Sequence, residues 1–218
     1  MSDEAGFTLV EALVALSLVG LITLVAFSGL RLAGDAWART DRQSQVAGAV
    51  ASAQAFLRQA IEQAYPGLHA TPGAPTEMTF RGEATAMELS APVPYDLSAG
   101  GRHRILITLA VEEKSLAIAW SPERGQKAAG AGSSWPRQAT LMTGLQSVNF
   151  SYFGQARGEP QARWHREWVG QPVLPSLVRV EAKLADSLAR WPILDAAPRA
   201  DVDATCVLDL LSRRCRGR

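Results

Sequence analysis

Residues 6–30 read GFTLVEALVALSLVGLITLVAFSGL, and this stretch decides the fold. From Phe7 to Leu30 there are 24 residues and one charged side chain, Glu11. About 20 consecutive apolar residues suffice to cross a bilayer as a helix, so length and composition alone predict a membrane-spanning helix here. A carboxylate within such a helix costs roughly 2.5–3.5 kcal/mol on insertion scales, and the default reading of one is functional. The reading of the whole chain therefore turns on why Glu11 is there.

The flanks narrow the answer. A secretory signal peptide carries a basic leader and an apolar core of about 7–15 residues. Here the leader contains Asp3 and Glu4 and no Lys or Arg, and the apolar run is longer than that. A plain signal anchor accounts for the length but leaves Glu11 without a purpose. The segment GFTLVEALVAL resembles the prepilin cleavage and methylation motif of type IV pilins and type II secretion pseudopilins. The resemblance rests on Gly6, Phe7, Thr8, Leu9, Glu11 and the apolar run that follows. It implies that a prepilin peptidase cuts between Gly6 and Phe7, that the new amine on Phe7 is methylated, and that Glu11 is an assembly contact. Glu11 lies about 6 Å along a helix from Phe7, at ~1.5 Å per residue. In a staggered array the amine of one subunit can meet the carboxylate of another. Pairing removes the cost of an isolated buried charge, so Glu11 would set register between subunits. Arg31, Arg39 and Arg42 follow the apolar run, and the positive-inside bias alone would put the C-terminal domain in the cytoplasm. The motif instead implies an inner-membrane, single-pass chain with that domain in the periplasm.

Beyond Leu30 the helical pattern continues. Val46, Val50, Ala53, Leu57, Ala60 or Ile61, and Ala64 recur at steps of three and four, an apolar stripe on one face. Pro66-Gly67 ends it. One helix over 7–65 is expected, with a break near Gly34 as the alternative. The remainder reads as strands. Met78, Thr79 and Phe80 precede a polar turn at 81–85, and a strand follows at 86–89. Strands at 104–111 and 115–120 are joined by Glu112, Glu113 and Lys114 as a hairpin. Residues 126–134 (QKAAGAGSS) read as a loop. Further strands are expected at 145–153, 163–169 and 177–184. In the last, Val178, Val180, Ala182 and Leu184 alternate with Arg179, Glu181 and Lys183, the pattern of a half-buried antiparallel strand. The fold class is α+β, a long N-terminal helix followed by an antiparallel sheet domain. The chain divides into a leader at 1–6, a membrane and assembly helix at 7–30, the periplasmic half of the helix at 31–66, and a β-rich domain at 67–218.

The second half adds a finer resemblance. LMTGLQSVNFSYFG at 141–154, RWHREW at 163–168 and LPSLVRVEAKLAD at 174–186, with GLRLAGDAW at 29–37, look like the J-type minor pseudopilin of the type II secretion system. That family has a pilin-like fold. The resemblance implies a subunit of the pseudopilus tip that helps initiate assembly and export of folded proteins. Its partners would be the I-type and K-type minor pseudopilins, other pseudopilins of the filament, the prepilin peptidase and the inner membrane. Two alternatives stand beside it: a minor pilin of a type IV pilus or competence pseudopilus, and a membrane-anchored periplasmic binding domain.

Catalytic chemistry is not advertised. His69, His103 and His165 form no close-spaced zinc pattern, and Ser133-Ser134 lacks a nucleophile elbow. No phosphate-binding loop is present. Asp195, Asp201, Asp203 and Asp209 lack the spacing of a calcium loop and read as a solvated acidic segment. No catalytic residue, metal ligand or cofactor is therefore expected. Net charge is +1, from 22 Lys and Arg against 21 Asp and Glu, so the electrostatic footprint of nucleic-acid binding is missing. Cys206 and Cys215 would stand about 13.5 Å apart on one helix, too far for a disulfide. Bonding needs a turn between them; an oxidising periplasm favours the bond and a cytoplasm favours free thiols.

Overall fold

The computed structural model describes residues 9–69, 77–94, 101–123, 135–185, 189–200, 207–209 and 214–216. Helix α1 runs unbroken from Leu9 to Glu62, through Gly34 and Gly48. Its composition favours this, since Ala and Leu dominate and no proline intervenes before Pro66. It closes with Gln63 N–H donating to Gln59 O at 3.0 Å and Ala64 N–H to Ile61 O at 3.1 Å. That is slightly earlier than expected, because a residue preceding proline is pushed out of helical geometry. Compactness divides the chain into residues 1–46 and 47–218.

From Leu9 to Leu30 the helix is almost wholly apolar around its circumference and its large side chains are exposed, among them Leu16, Leu24 and Leu30. The hydroxyls within this run are satisfied locally. Ser17 donates to Val14 O at 2.8 Å, Thr23 to Val19 O at 2.7 Å, and Ser28 to Leu24 O at 2.9 Å. Such back-bonding keeps polar groups paired where no water is at hand. In the second unit one face alone is apolar: Val50, Ala53, Leu57, Ala60, Ile61 and Ala64 are buried.

That face belongs to a domain of β-structure. Two short pairs, β1 (Leu68–His69) with β2 (Glu77–Met78) and β12 (Val207–Asp209) with β13 (Arg214–Arg216), accompany two larger antiparallel sheets. The first runs β3 (Arg81–Gly82), β4 (Ala86–Pro92), β5 (Arg102–Ala110), β6 (Ser115–Pro122), β7 (Arg137–Thr143) in that order. The second is ordered β11 (Leu194–Ala196), β10 (Leu177–Leu184), β8 (Leu145–Gly154), β9 (Arg163–His165). Alternation fixes which face is inward: Met87, Leu89, Ile105, Ile107, Leu116 and Ile118 are buried from one sheet, and Val148, Phe150, Tyr152, Val178 and Val180 from the other.

The sheets meet at a seam. Gly82 and Trp168 exchange reciprocal backbone bonds at 2.9 and 2.8 Å, and Phe150 N–H donates to Ala84 O at 2.8 Å. Tyr152, fully buried, donates its hydroxyl to Glu83 O at 2.9 Å. Burial, with the charge of Glu83 beside it, pushes the phenol far above its ordinary range, so it stays a neutral donor. The ring lies where a side chain on Gly82 would be, and a Cβ on Gly154 would meet Trp168 at 2.6 Å. Both glycines exist here to let an aromatic ring approach the backbone.

The expected strands at 145–153 and 177–184 and the hairpin across 104–120 are present. The hairpin turns through Lys114 in the left-handed region, φ +48°. Three expectations need correction. Strand β9 ends at His165, because Trp168 leaves the ladder to bridge Gly82. Strand β2 ends at Met78, and the supposed turn at 81–85 opens with β3. Strand β7 was not anticipated. The loop at 126–134 lies outside the described residues.

Gly82→Ala forces a methyl against the Tyr152 ring and is expected to destabilise the domain by roughly 1–3 kcal/mol. Gly48→Ala, where a Cβ meets nothing within 4 Å, is expected to stabilise by about 0.5–1 kcal/mol. Denaturant unfolding of the two variants measures both.

Candidate assembly site

Gly6 and Phe7 lie outside the described residues. Glu11 sits in the first turn of α1 and is exposed. It is the one acid in a run of helix long and apolar enough to cross a membrane, none of which is buried.

A second polar stripe lies at the other end of the helix. Gln54, Arg58 and Glu62, spaced one turn apart, meet residues 192–199. Gln54 Nε2 donates to Pro192 O at 2.5 Å, Arg58 Nη1 to Asp195 O at 3.1 Å, and Arg199 Nη2 to Glu62 Oε2 at 2.6 Å. Arg199 N–H also donates to Glu62 O at 3.0 Å. The i, i+4, i+8 spacing places all three on one helix face, so they latch the β11 edge to the helix.

On the outward face of the second sheet, Arg179 forms a two-pronged pair with Asp195, both bonds 2.8 Å, and its guanidinium lies 4.5 Å from the Trp164 ring centre. Trp164 packs on Phe153 with ring centres 5.4 Å apart and remains 41% exposed. The bond to Arg179 holds the Asp195 carboxyl below its ordinary range. Beside this group lies a cleft of about 260 Å³ lined by Ser147, Asn149, Glu181, Lys183, Trp191 and Ile193.

The histidines take structural places. His165 Nε2 is 3.2 Å from Gly154 O and 3.4 Å from Glu159, with its ring edge-on to Trp168. His103 is buried, Nδ1 3.1 Å from Gly101 O. His69 falls in β1. Among the described residues no three His, Cys, Asp or Glu side chains gather as a metal site. Asp201 and Asp203 lie outside the described residues, as does Cys206. Cys215 is in β13, across from Leu208. Sequence reasoning missed the latch and the Arg179–Trp164 stack. The only available signal was the one-turn spacing of Gln54, Arg58 and Glu62.

A lone acid near the start of an exposed apolar run of helix, followed by a β-rich domain, is the arrangement of a prepilin-type subunit. The model of the prokaryotic N-terminal methylation motif matches residues 1–27. The chain is also 32% identical over 207 residues to type II secretion system protein J of Xanthomonas campestris pv. campestris, covering 90% of this chain and 94% of that protein. The chain belongs to the type II secretion system protein J family, and its role is that of a pseudopilin in protein secretion.

The depressed Asp195 carboxyl gives a signed pH dependence. Its folded pKa is below the unfolded value of about 3.9, so its stabilisation is present above that value and is lost as pH falls through the folded pKa. More than a third of the Asp195 side chain is exposed, so solvent screening keeps the contribution of the pair small. Asp195→Asn is expected to be less stable than wild type at pH 7, with the difference shrinking towards pH 3. Denaturant midpoints at the two pH values measure it.

Proposed function

We propose that the chain is cleaved between Gly6 and Phe7 by a prepilin peptidase, methylated on Phe7, and assembled through pairing of the Phe7 amine with Glu11 of a neighbouring subunit. The helix spans the inner membrane and the β-domain faces the periplasm. The subunit takes its place at the pseudopilus tip beside I-type and K-type minor pseudopilins, where it helps start assembly. It acts as a structural component, without catalysis, cofactor or nucleic acid. The observation that carries this reading is the single carboxylate in the first turn of an otherwise apolar, exposed helix. An ionised carboxylate in hydrocarbon is costly, and its default reading is functional. Cys215 stands opposite Leu208 in the β12–β13 ladder, and a Cys206–Cys215 disulfide belongs to the proposal for an oxidising periplasm.

Glu11→Ala is expected to leave the peptidase cut intact, because the scissile bond is untouched, and to lower co-purification with I-type and K-type subunits from membranes by at least about tenfold. A neighbour's amine left buried without its partner costs roughly 3–5 kcal/mol. Undiminished co-purification of Glu11→Ala would remove the assembly role from this residue.

A further inference from the structure

Sheet edges invite other chains, because each leaves a row of unpaired N–H and C=O groups. In this domain the edges are treated unequally. The β3 end of the first sheet is joined to the second by the Gly82–Trp168 bridge. The β11 edge is short and held by Arg58 through Asp195 O. Strand β9 is three residues long. Strand β7 is different. It is seven residues long and ends its sheet, with no strand on its far side among the described residues. It carries one charge, Arg137, and no proline, and six of its seven residues, all but Met142, are not buried. The usual protections of an edge, charge and proline, are missing from its middle.

Which β7 groups point outward follows from the ladder. Glu123 N–H donates to Arg102 O at 3.1 Å, one step beyond the His103–Pro122 pair of the β5–β6 register. Along an antiparallel strand the backbone groups alternate between the two neighbours. Counting back from Glu123, the odd-numbered residues of β6 bond β5, and Ile118 and Trp120 turn to Ala139 and Arg137. Gln138 and Thr140, opposite Ala119 and Ala117, therefore aim their N–H and C=O groups at the open edge.

We propose that β7 is a strand-addition site, taken by an extended segment of a different chain in the assembly. The incoming strand alternates polar and apolar residues. Its polar side lies beside Gln138 and Thr140, and its apolar side beside Ala139 and Met142, which share a face with buried Ile118 and Leu116. A second copy fits less well. The register shift between Leu116 and Ala117 leaves Leu141 as an extra residue in β7. Two-fold pairing that uses both Gln138 and Thr140 is centred on Ala139 and sets Arg137 of each copy against the bulged Leu141 of the other. That ladder is cut short at both ends, whereas a foreign strand can follow the edge on to Thr143.

The proposal rests on the assembly role given above, and its test separates the two. Residue-resolved hydrogen exchange is measured on the full chain in detergent, alone and with purified I-type or K-type minor pseudopilin. Exchange at Gln138 and Thr140 is expected to slow at least about tenfold with the binding subunit, a protection of roughly 1.4 kcal/mol. Thr140→Pro removes only an outward N–H, and the residue before it is already extended as proline requires. It is expected to keep the wild-type unfolding midpoint and to weaken binding at least tenfold. Ala139→Pro, which removes a bond to β6, is expected to destabilise the domain instead. Binding with no protection at Gln138 and Thr140, and with full affinity in Thr140→Pro, overturns the strand addition and leaves the assembly role standing. Protection that appears in the chain alone as its concentration rises assigns the edge to a second copy and overturns the foreign strand. Binding of neither subunit overturns the assembly partners and the proposal together.

Discussion

One continuous helix has to satisfy two environments, and the rest of the structure follows from how its side chains divide that work. From Leu9 to Leu30 it is apolar on every side, with Ser17, Thr23 and Ser28 turned back onto its own carbonyls. From Val50 to Ala64 it is apolar on one face only, and that face is buried. A helix apolar all round suits lipid or the core of a helical bundle, whereas a one-sided helix suits the surface of a domain. Polar residues between Arg31 and Gln45 mark the change of pattern without breaking the helix.

The β-domain is held together by a few contacts between segments far apart in the chain. Gln54, Arg58 and Glu62 fasten residues 192–199, more than 130 positions away. Gly82 and Trp168 join the two sheets, and Tyr152 fills the space that the absent side chain of Gly82 leaves. The bonds at the Gly82–Trp168 seam are buried, and such bonds cost much more to leave unmade than they add when made. They therefore select one arrangement of the sheets, while the apolar faces supply most of the stabilisation. Among the described residues, β7 is the longest strand that ends a sheet.

The features legible in the sequence are those whose cause is local. The apolar run and Glu11 are read directly, and so is β10, where Val178, Val180 and Ala182 alternate with charged neighbours. The stripe from Val50 to Ala64 is equally plain at helical spacing. Strand β7 was hidden because Arg-Gln-Ala-Thr-Leu-Met-Thr has small and polar side chains on an edge, where burial imposes little alternation, and a bulge at Leu141 breaks the rest. Strand β9 was overextended because the place of Trp168 is set by Gly82, 86 positions earlier. Glu11 was read from the sequence alone, while the Arg179–Trp164 stack depended on pairings between strands that no local pattern encodes.

The central claim is that this chain is processed and built as a pseudopilin. Mass spectrometry of its N-terminus after co-expression with a prepilin peptidase tests that most directly, on wild type and on Gly6→Ala. The account predicts loss of residues 1–6 and a methyl group on Phe7 in the wild type, and neither change in the variant. A wild-type chain that keeps Met1 and an unmethylated Phe7 in the presence of active peptidase would contradict it.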